Sequence, residues 1–252
     1  MKRLRTIILF ISVLSFLPIR ADEVQLRVEY LAVECIEEGQ QHKIAKDMTL
    51  DIGNSVSLFY YRDTVDHAKY PIGDYRRRKP ESYSVMKNYP KEGMLLYKED
   101  FSRRNTFGYE EDMPQWEWKL LKGDSTVLCY PCKKATASFR GRTWYVWYTI
   151  DLPYNDGPWK LYGLPGLILE AEDATGSFLF KCCGIAKGDK SAIIEENKKF
   201  IKASSKRIQQ LKALKVTDFD AYYFETTGIE MQSSNKERSQ YERKPCLIEI
   251  FE

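Results

Sequence analysis

Cys129-Tyr130-Pro131-Cys132 is the stretch of this sequence whose residue types and spacing come nearest to a reactive motif. Two cysteines three apart can cycle between dithiol and disulfide if one thiolate is stabilised, usually by a helix N-terminus behind it. The next residues, Lys133-Lys134-Ala135-Thr136-Ala137-Ser138-Phe139, offer no helix cap and alternate small and β-branched residues. Structural disulfide partners or buried thiols are therefore the first reading, and a thiol oxidoreductase using Cys129 and Cys132 is the alternative. A zinc set is not assembled, because there is no second Cys-x-x-Cys and the two histidines, His42 and His67, lie far apart. We expect no metal and no cofactor. The same histidines limit nucleophilic catalysis, since neither belongs to a recognisable motif. The acidic runs Glu110-Glu111-Asp112 and Glu195-Glu196 read as solvated faces. A carboxylate hydrolase stays open only as an alternative, because the separation of two carboxylates is not visible in a sequence.

The N-terminus reads as a secretory leader. Lys2, Arg3 and Arg5 precede an apolar stretch from Ile7 to Leu17, then Pro18 and the small residue Ala21. The apolar core is shorter than the about 20 residues a membrane span needs. Residues 1–21 are expected to be a signal peptide and residues 22–252 a single domain, exported to the periplasm or beyond, with no transmembrane segment after cleavage. The leader holds four of the 39 basic residues and none of the 36 acidic ones, so the remainder is close to neutral. That leaves no net electrostatic case for nucleic acid. The run Arg76 to Lys79 reads as a solvated loop. An oxidising compartment would make disulfide candidates of Cys35, Cys129, Cys132, Cys182, Cys183 and Cys246, in any of 15 connectivities.

Strand signals dominate the elements that must position these groups. In VQLRVEY, Val24, Leu26, Val28 and Tyr30 alternate with Gln25, Arg27 and Glu29. Short strands flank Gly53-Asn54, and residues 64–92 read as a long loop. Gly123-Asp124 is expected to turn one hairpin, with Trp116, Trp118 and Leu120 on one face before it. Gly141 separates two further strands, and residues 173–176 turn another hairpin. Helix signals come late: Ser204 or Ser205 can cap a helix carrying Ile208, Leu211 and Leu214, and Thr217 a second. The segment 231–244 reads as a loop, and PCLIEIFE as a closing strand. Absence of a regular strand–helix alternation argues against a parallel sheet. The expected class is mainly β (α+β): a curved antiparallel sheet with one or two helices near the C-terminus.

WYVWYTI places Trp144, Val146, Tyr148 and Ile150 on one face and Tyr145, Trp147 and Thr149 on the other. Such a strand is either buried on both sides or walls a cavity for an apolar or glycan ligand. Trp144, Trp147, Trp159, Tyr145, Arg140 and Arg142 are the candidate ligand-binding residues. In Leu164-Pro165-Gly166-Leu167 the order predicts a type II turn, with φ > 0 at Gly166. A phosphate cradle needs converging N–H groups and a following helix, and neither is offered. Gly163, Pro165 and Gly166 therefore read as an architectural turn into a strand.

Gly163 to Ile168 reproduce the signature of the GLPGLI family, which this chain resembles. Cys132, Lys134, Ala135, Arg140 to Arg142, Trp147 to Thr149 and Pro153 are similar to that family's upstream pattern. The resemblance implies an exported protein of Bacteroidota-type bacteria and no assigned chemistry. A looser similarity to periplasmic lipoprotein carriers implies a half-barrel of curved sheet around an apolar cavity closed by helices. The chain is thus expected to be an envelope binding or assembly module, catalytic residues none, with an apolar or glycan ligand or an envelope protein as partner. An enzyme and a purely structural envelope component are the alternatives.

Overall fold

Period-two alternation gathers the strands of this chain into one sheet. The computed structural model describes residues 22–39, 43–62, 76–77, 82–102, 104–194, 199–231 and 243–251. The expected leader, His42, His67, Glu195-Glu196 and most of 231–244 lie outside them. In chain order the strands are β1 (Leu26–Glu34), β2 (Ile44–Ile52), β3 (Ser57–Tyr61), β4 (Arg76–Arg77), β5 (Tyr83–Lys87), β6 (Met94–Asp100), β7 (Thr106–Asp112), β8 (Lys119–Val127), β9 (Tyr130–Phe139), β10 (Arg142–Thr149), β11 (Leu167–Asp173), β12 (Phe178–Lys187) and β13 (Ile201–Lys202). The helices are α1 (Ser205–Thr217) and α2 (Phe219–Thr227).

The sheet order is β13-β7-β6-β5-β3-β2-β1-β12-β11-β10-β9-β8, with β4 paired to β2 off this path. Among the described residues, β13 with β7 and β4 with β2 run parallel and the other pairs are antiparallel. The terminal strands β13 and β8 do not meet, so the curved sheet is open, not a closed barrel. This is the expected mainly β fold with a curved antiparallel sheet, and two helices lie near its C-terminus.

One face of the sheet, the inner face, carries the core. Val28, Tyr30, Met48, Leu50, Phe59, Val85, Leu95, Trp144, Val146 and Phe180 are all sealed from water there. Residues 152–164, the two helices and residues 246–248 pack onto it. A buried aromatic ring removes on the order of 150–250 Å² from water, about 4–6 kcal/mol at 25 cal/mol/Å². That gain explains why the chain folds its own segment over this wall.

Several local expectations are corrected. Gly123 does not turn a hairpin; it sits with φ +139 in a bulge between Leu121 and Asp124, inside β8. The turn falls at Leu128 and Cys129, both at positive φ (+47 and +70), the pairing a two-residue hairpin of primed type requires. Residues 64–92 are not all loop, because β5 occupies the heart of the sheet and the backbone of Arg76–Arg77 pairs with Ile44–Ala45. Asp218, not Thr217, caps α2, its carboxylate accepting from the Ala221 N–H at 3.0 Å. PCLIEIFE forms no strand beyond a Pro245–Glu37 bridge, since Ile248 and Glu249 turn into the core.

Candidate functional site

The aromatic strand was the first candidate, and its two faces have different fates. Trp144 and Trp159 are buried, their rings 5.6 Å apart at 33°, and Trp144 also stacks on Phe180 at 6.0 Å. Both indoles belong to the packed core and are covered by the chain itself. Tyr145 is 40% exposed on the opposite face, where the Lys134 ammonium lies 5.4 Å from its ring and 5.3 Å from that of Trp147. Arg142 is closed by Asp173 at 2.6 Å and the Leu247 carbonyl at 2.6 Å. Arg140 is closed by Glu111 at 2.6 Å and Glu249 at 2.7 Å. The six residues are not brought together around a common space.

Residues 156–164 form a strap, and two buried lysines clasp it. Lys87 of β5 donates to the Asp156 carboxylate and to the carbonyls of Gly157 (2.6 Å) and Leu161 (3.2 Å). Lys160 of the strap donates to Tyr109 Oη (2.8 Å), Glu111 (2.6 Å) and Glu249 (2.5 Å). Burial depresses the Lys87 pKa, against the pull of Asp156. Burial alone would raise the Glu249 carboxyl, but Lys160, Arg140 and the Ser205 hydroxyl hold it below the usual carboxylate range. Trp116 and Trp118, stacked 5.1 Å apart, donate to the Lys160 and Tyr162 carbonyls at 3.0 and 2.8 Å.

The GLPGLI turn finishes the strap, but not as a type II turn. Gly163, not Gly166, has the positive φ, +99. Gly166 is needed for closeness: a Cβ there would lie 2.0 Å from the Thr149 carbonyl oxygen. The turn's geometry thus differs from the one its residue order predicts.

An open site lies on the other face. There β2, β3, β5 and β6 present Asp51, Leu58, Tyr60, Ser84, Met86 and Leu96, because these alternate with the core residues. Residues 188–194 run alongside, held by Gly188 N–H to Gln25 (2.8 Å), Val24 N–H to Ser191 (2.9 Å) and Ile193 N–H to Asp22 (2.7 Å). The groove between them has a volume of about 460 Å³, within the range of small-molecule sites. Met86, Leu96 and Ile193 give it an apolar floor. On its rim Arg27 grips Asp51 through two bonds (2.6 and 3.0 Å) and Asp189 through a third (2.8 Å), while Tyr60 donates to Asp51 at 3.0 Å.

The rim charges are fixed. Hydrogen bonds from the Ser191 hydroxyl and N–H, and then Arg27, depress the Asp189 carboxyl. Hydrogen bonding to Asp51 raises Arg27, and burial followed by Asp51 raises Tyr60. At neutral pH these groups keep one protonation state each. Sequence reasoning missed this groove because residues 64–92 read as loop, although Leu58 and Tyr60 already alternate with the core residue Phe59.

The cysteines are all thiols. Cys129 is exposed at the β8–β9 turn, while Cys132 is buried in β9, so the CYPC pair runs from a turn into a strand with no helix behind it. Burial pushes the Cys132 and Cys182 thiols up. Among the described residues no cluster of His, Cys, Asp and Glu is arranged to hold a metal ion, and no helix is long and apolar enough to cross a membrane.

A family model described as "Protein of unknown function (Porph_ging)" matches residues 139–170, from the end of β9 through the strap into β11. No curated protein matches the chain. Among solved structures, "Structure of PNGF-II in C2 space group" aligns with TM-score 0.50 at 16% identity, covering 74% of this chain and 32% of that one. "Structure of PNGF-II in P21 space group" gives TM-score 0.49 at 16% identity, with 73% and 32% covered. The chain thus spans about a third of the length of these relatives, and a likeness at this identity speaks for the fold alone.

Proposed function

We propose that this chain is an exported binding module of the cell envelope, non-catalytic, that holds an amphiphilic or glycan-like ligand in the outer-face groove. The observation that carries this reading is the groove itself: an apolar floor beside a rim on which Arg27 is paired with both Asp51 and Asp189. A ligand with one apolar and one polar side buries area on the floor without separating those pairs. Fixed protonation states favour recognition over general acid–base chemistry. The family match over 139–170, together with the Cys132, Lys134 and Arg140 to Arg142 pattern upstream of the signature, supports GLPGLI-type membership for residues 22–252 as one domain. Export is supported by the leader pattern and by Asp22, the first residue after the expected cut. Its carboxylate accepts the N–H groups of Asn54 (3.0 Å), Ser55 (2.6 Å) and Val56 (3.0 Å). The packed inner face favours a second reading, a structural envelope component without a ligand. Native mass spectrometry of the chain purified from its own host separates the two. The binding reading expects a bound lipid- or glycan-sized mass that is lost in Ser84→Trp, whereas a bare mass in every preparation supports the structural one.

A further inference from the structure

We propose that Cys35 and Cys246 are a disulfide-forming pair that latches the C-terminal tail to the end of β1. This assignment is independent of the groove. Residues 36–38 and 244–246 lie antiparallel: Cys246 N–H donates to the Ile36 carbonyl at 3.0 Å, Glu38 N–H to Lys244 at 2.8 Å, and Glu37 bridges Pro245. Arg243 closes the outer end with three bonds to the Glu37 carboxylate, the shortest 2.6 Å. The clamp sets the Cys246 side chain beside that of Cys35, and Cys35 Sγ donates to the Glu37 carbonyl at 3.2 Å. Cys182 and Cys183, adjacent on β12, alternate across the sheet.

The latch has a purpose in the fold. Three residues beyond Cys246, Glu249 sits in the buried cluster that holds Lys160 and Arg140. A bond at Cys246 ties that carboxylate in place and closes nearly the whole chain into a loop, the arrangement in which a disulfide restricts the unfolded state most.

The oxidant is a disulfide, either a small one such as oxidised glutathione or that of a thiol oxidase. One cysteine, as thiolate, attacks the oxidant's sulfur and forms a mixed disulfide, and one thiolate of the oxidant leaves with a proton. The second cysteine then loses its proton, attacks the first, and releases the other thiol. Two protein thiols are oxidised and one disulfide is reduced to two thiols. Burial and the bond to Cys35 push the Cys246 thiol up to about 12, against the Ser177 hydroxyl and the Arg142 charge that face it. The exchange is therefore slow in a neutral buffer and needs equilibration.

The test is to equilibrate the folded, reduced full chain with oxidised glutathione and map its peptides without reduction. The expected result is a single linked peptide joining Cys35 to Cys246, with Tm raised by roughly 5–10 °C; Cys35→Ser removes both the link and the rise. Recovery of both cysteines as alkylated thiols, a link from either to Cys129, Cys132, Cys182 or Cys183, or a link that leaves Tm unchanged overturns the proposal.

Discussion

Lys160 Nζ lies 2.5 Å from Glu249 Oε1, and neither side chain reaches water. The strap delivers the lysine and the C-terminal tail delivers the carboxylate, so one contact joins two segments that cover the inner face. A charge pair out of water is costly to form and costlier to break singly. Lys160→Met should destabilise the fold by about 3–5 kcal/mol in urea titrations. Lys160→Met with Glu249→Leu should cost less than the sum of the single changes, because no charge is then stranded by its partner's loss.

The same pair predicts an acid limb. Glu249 has its folded pKa below the ordinary 4.5. A carboxyl depressed on folding stabilises fully above its unfolded pKa, and that contribution is lost as pH falls through the folded value. Stability measured by denaturant should therefore decline below pH 4.5, and Glu249→Gln, less stable at pH 7, should decline less steeply over the same window.

Two glycines of the turn should respond differently. Gly166→Ala drives a methyl to 2.0 Å from a backbone oxygen, where no side chain can yield. Gly163→Ala meets nothing closer than 3.3 Å, the Trp118 nitrogen, and is burdened mainly by its φ of +99. We expect about 1–2 kcal/mol for Gly163→Ala and about 3 kcal/mol or more for Gly166→Ala, read from denaturant midpoints.

The two faces of β10 give a matching contrast. Trp144→Ala removes a ring packed against Trp159 and Phe180 and should cost about 3–5 kcal/mol. Tyr145→Ala, on the opposite face, should stay within about 0.5 kcal/mol.

How much of this was legible depends on the kind of information a sequence encodes. Alternation along β1 and β10 states which residues share a face, and that sufficed for the sheet, while the cap at Ser204 and the spacing of Ile208, Leu211 and Leu214 sufficed for the first late helix. It does not state which face the chain will cover. Trp144 and Trp147 look equivalent in WYVWYTI, yet Trp144 is sealed while Trp147 is only half-buried. The difference lies with the strap, whose position depends on Lys87 and Lys160, lysines that no periodicity marks as internal. Gly166 and Gly123 were misplaced for a related reason. A glycine announces backbone freedom or close approach, and only the neighbouring strand decides which. The groove escaped notice because it is assembled from strands separated by residues 63–81, whose composition resembles a loop.

The most direct measurement of the central claim, that binding belongs to the outer-face groove, is a fluorescence titration with the apolar probe N-phenyl-1-naphthylamine. Ser84 lies in the groove between Tyr60 and Lys98 on neighbouring strands, so Ser84→Trp fills that space without opening the core. The account predicts saturable binding to the native chain, weakened about tenfold or more by Ser84→Trp, a loss of at least about 1.4 kcal/mol, and unchanged by Tyr145→Ala. Equal affinity in the native and Ser84→Trp chains, with circular dichroism unaltered, would contradict it.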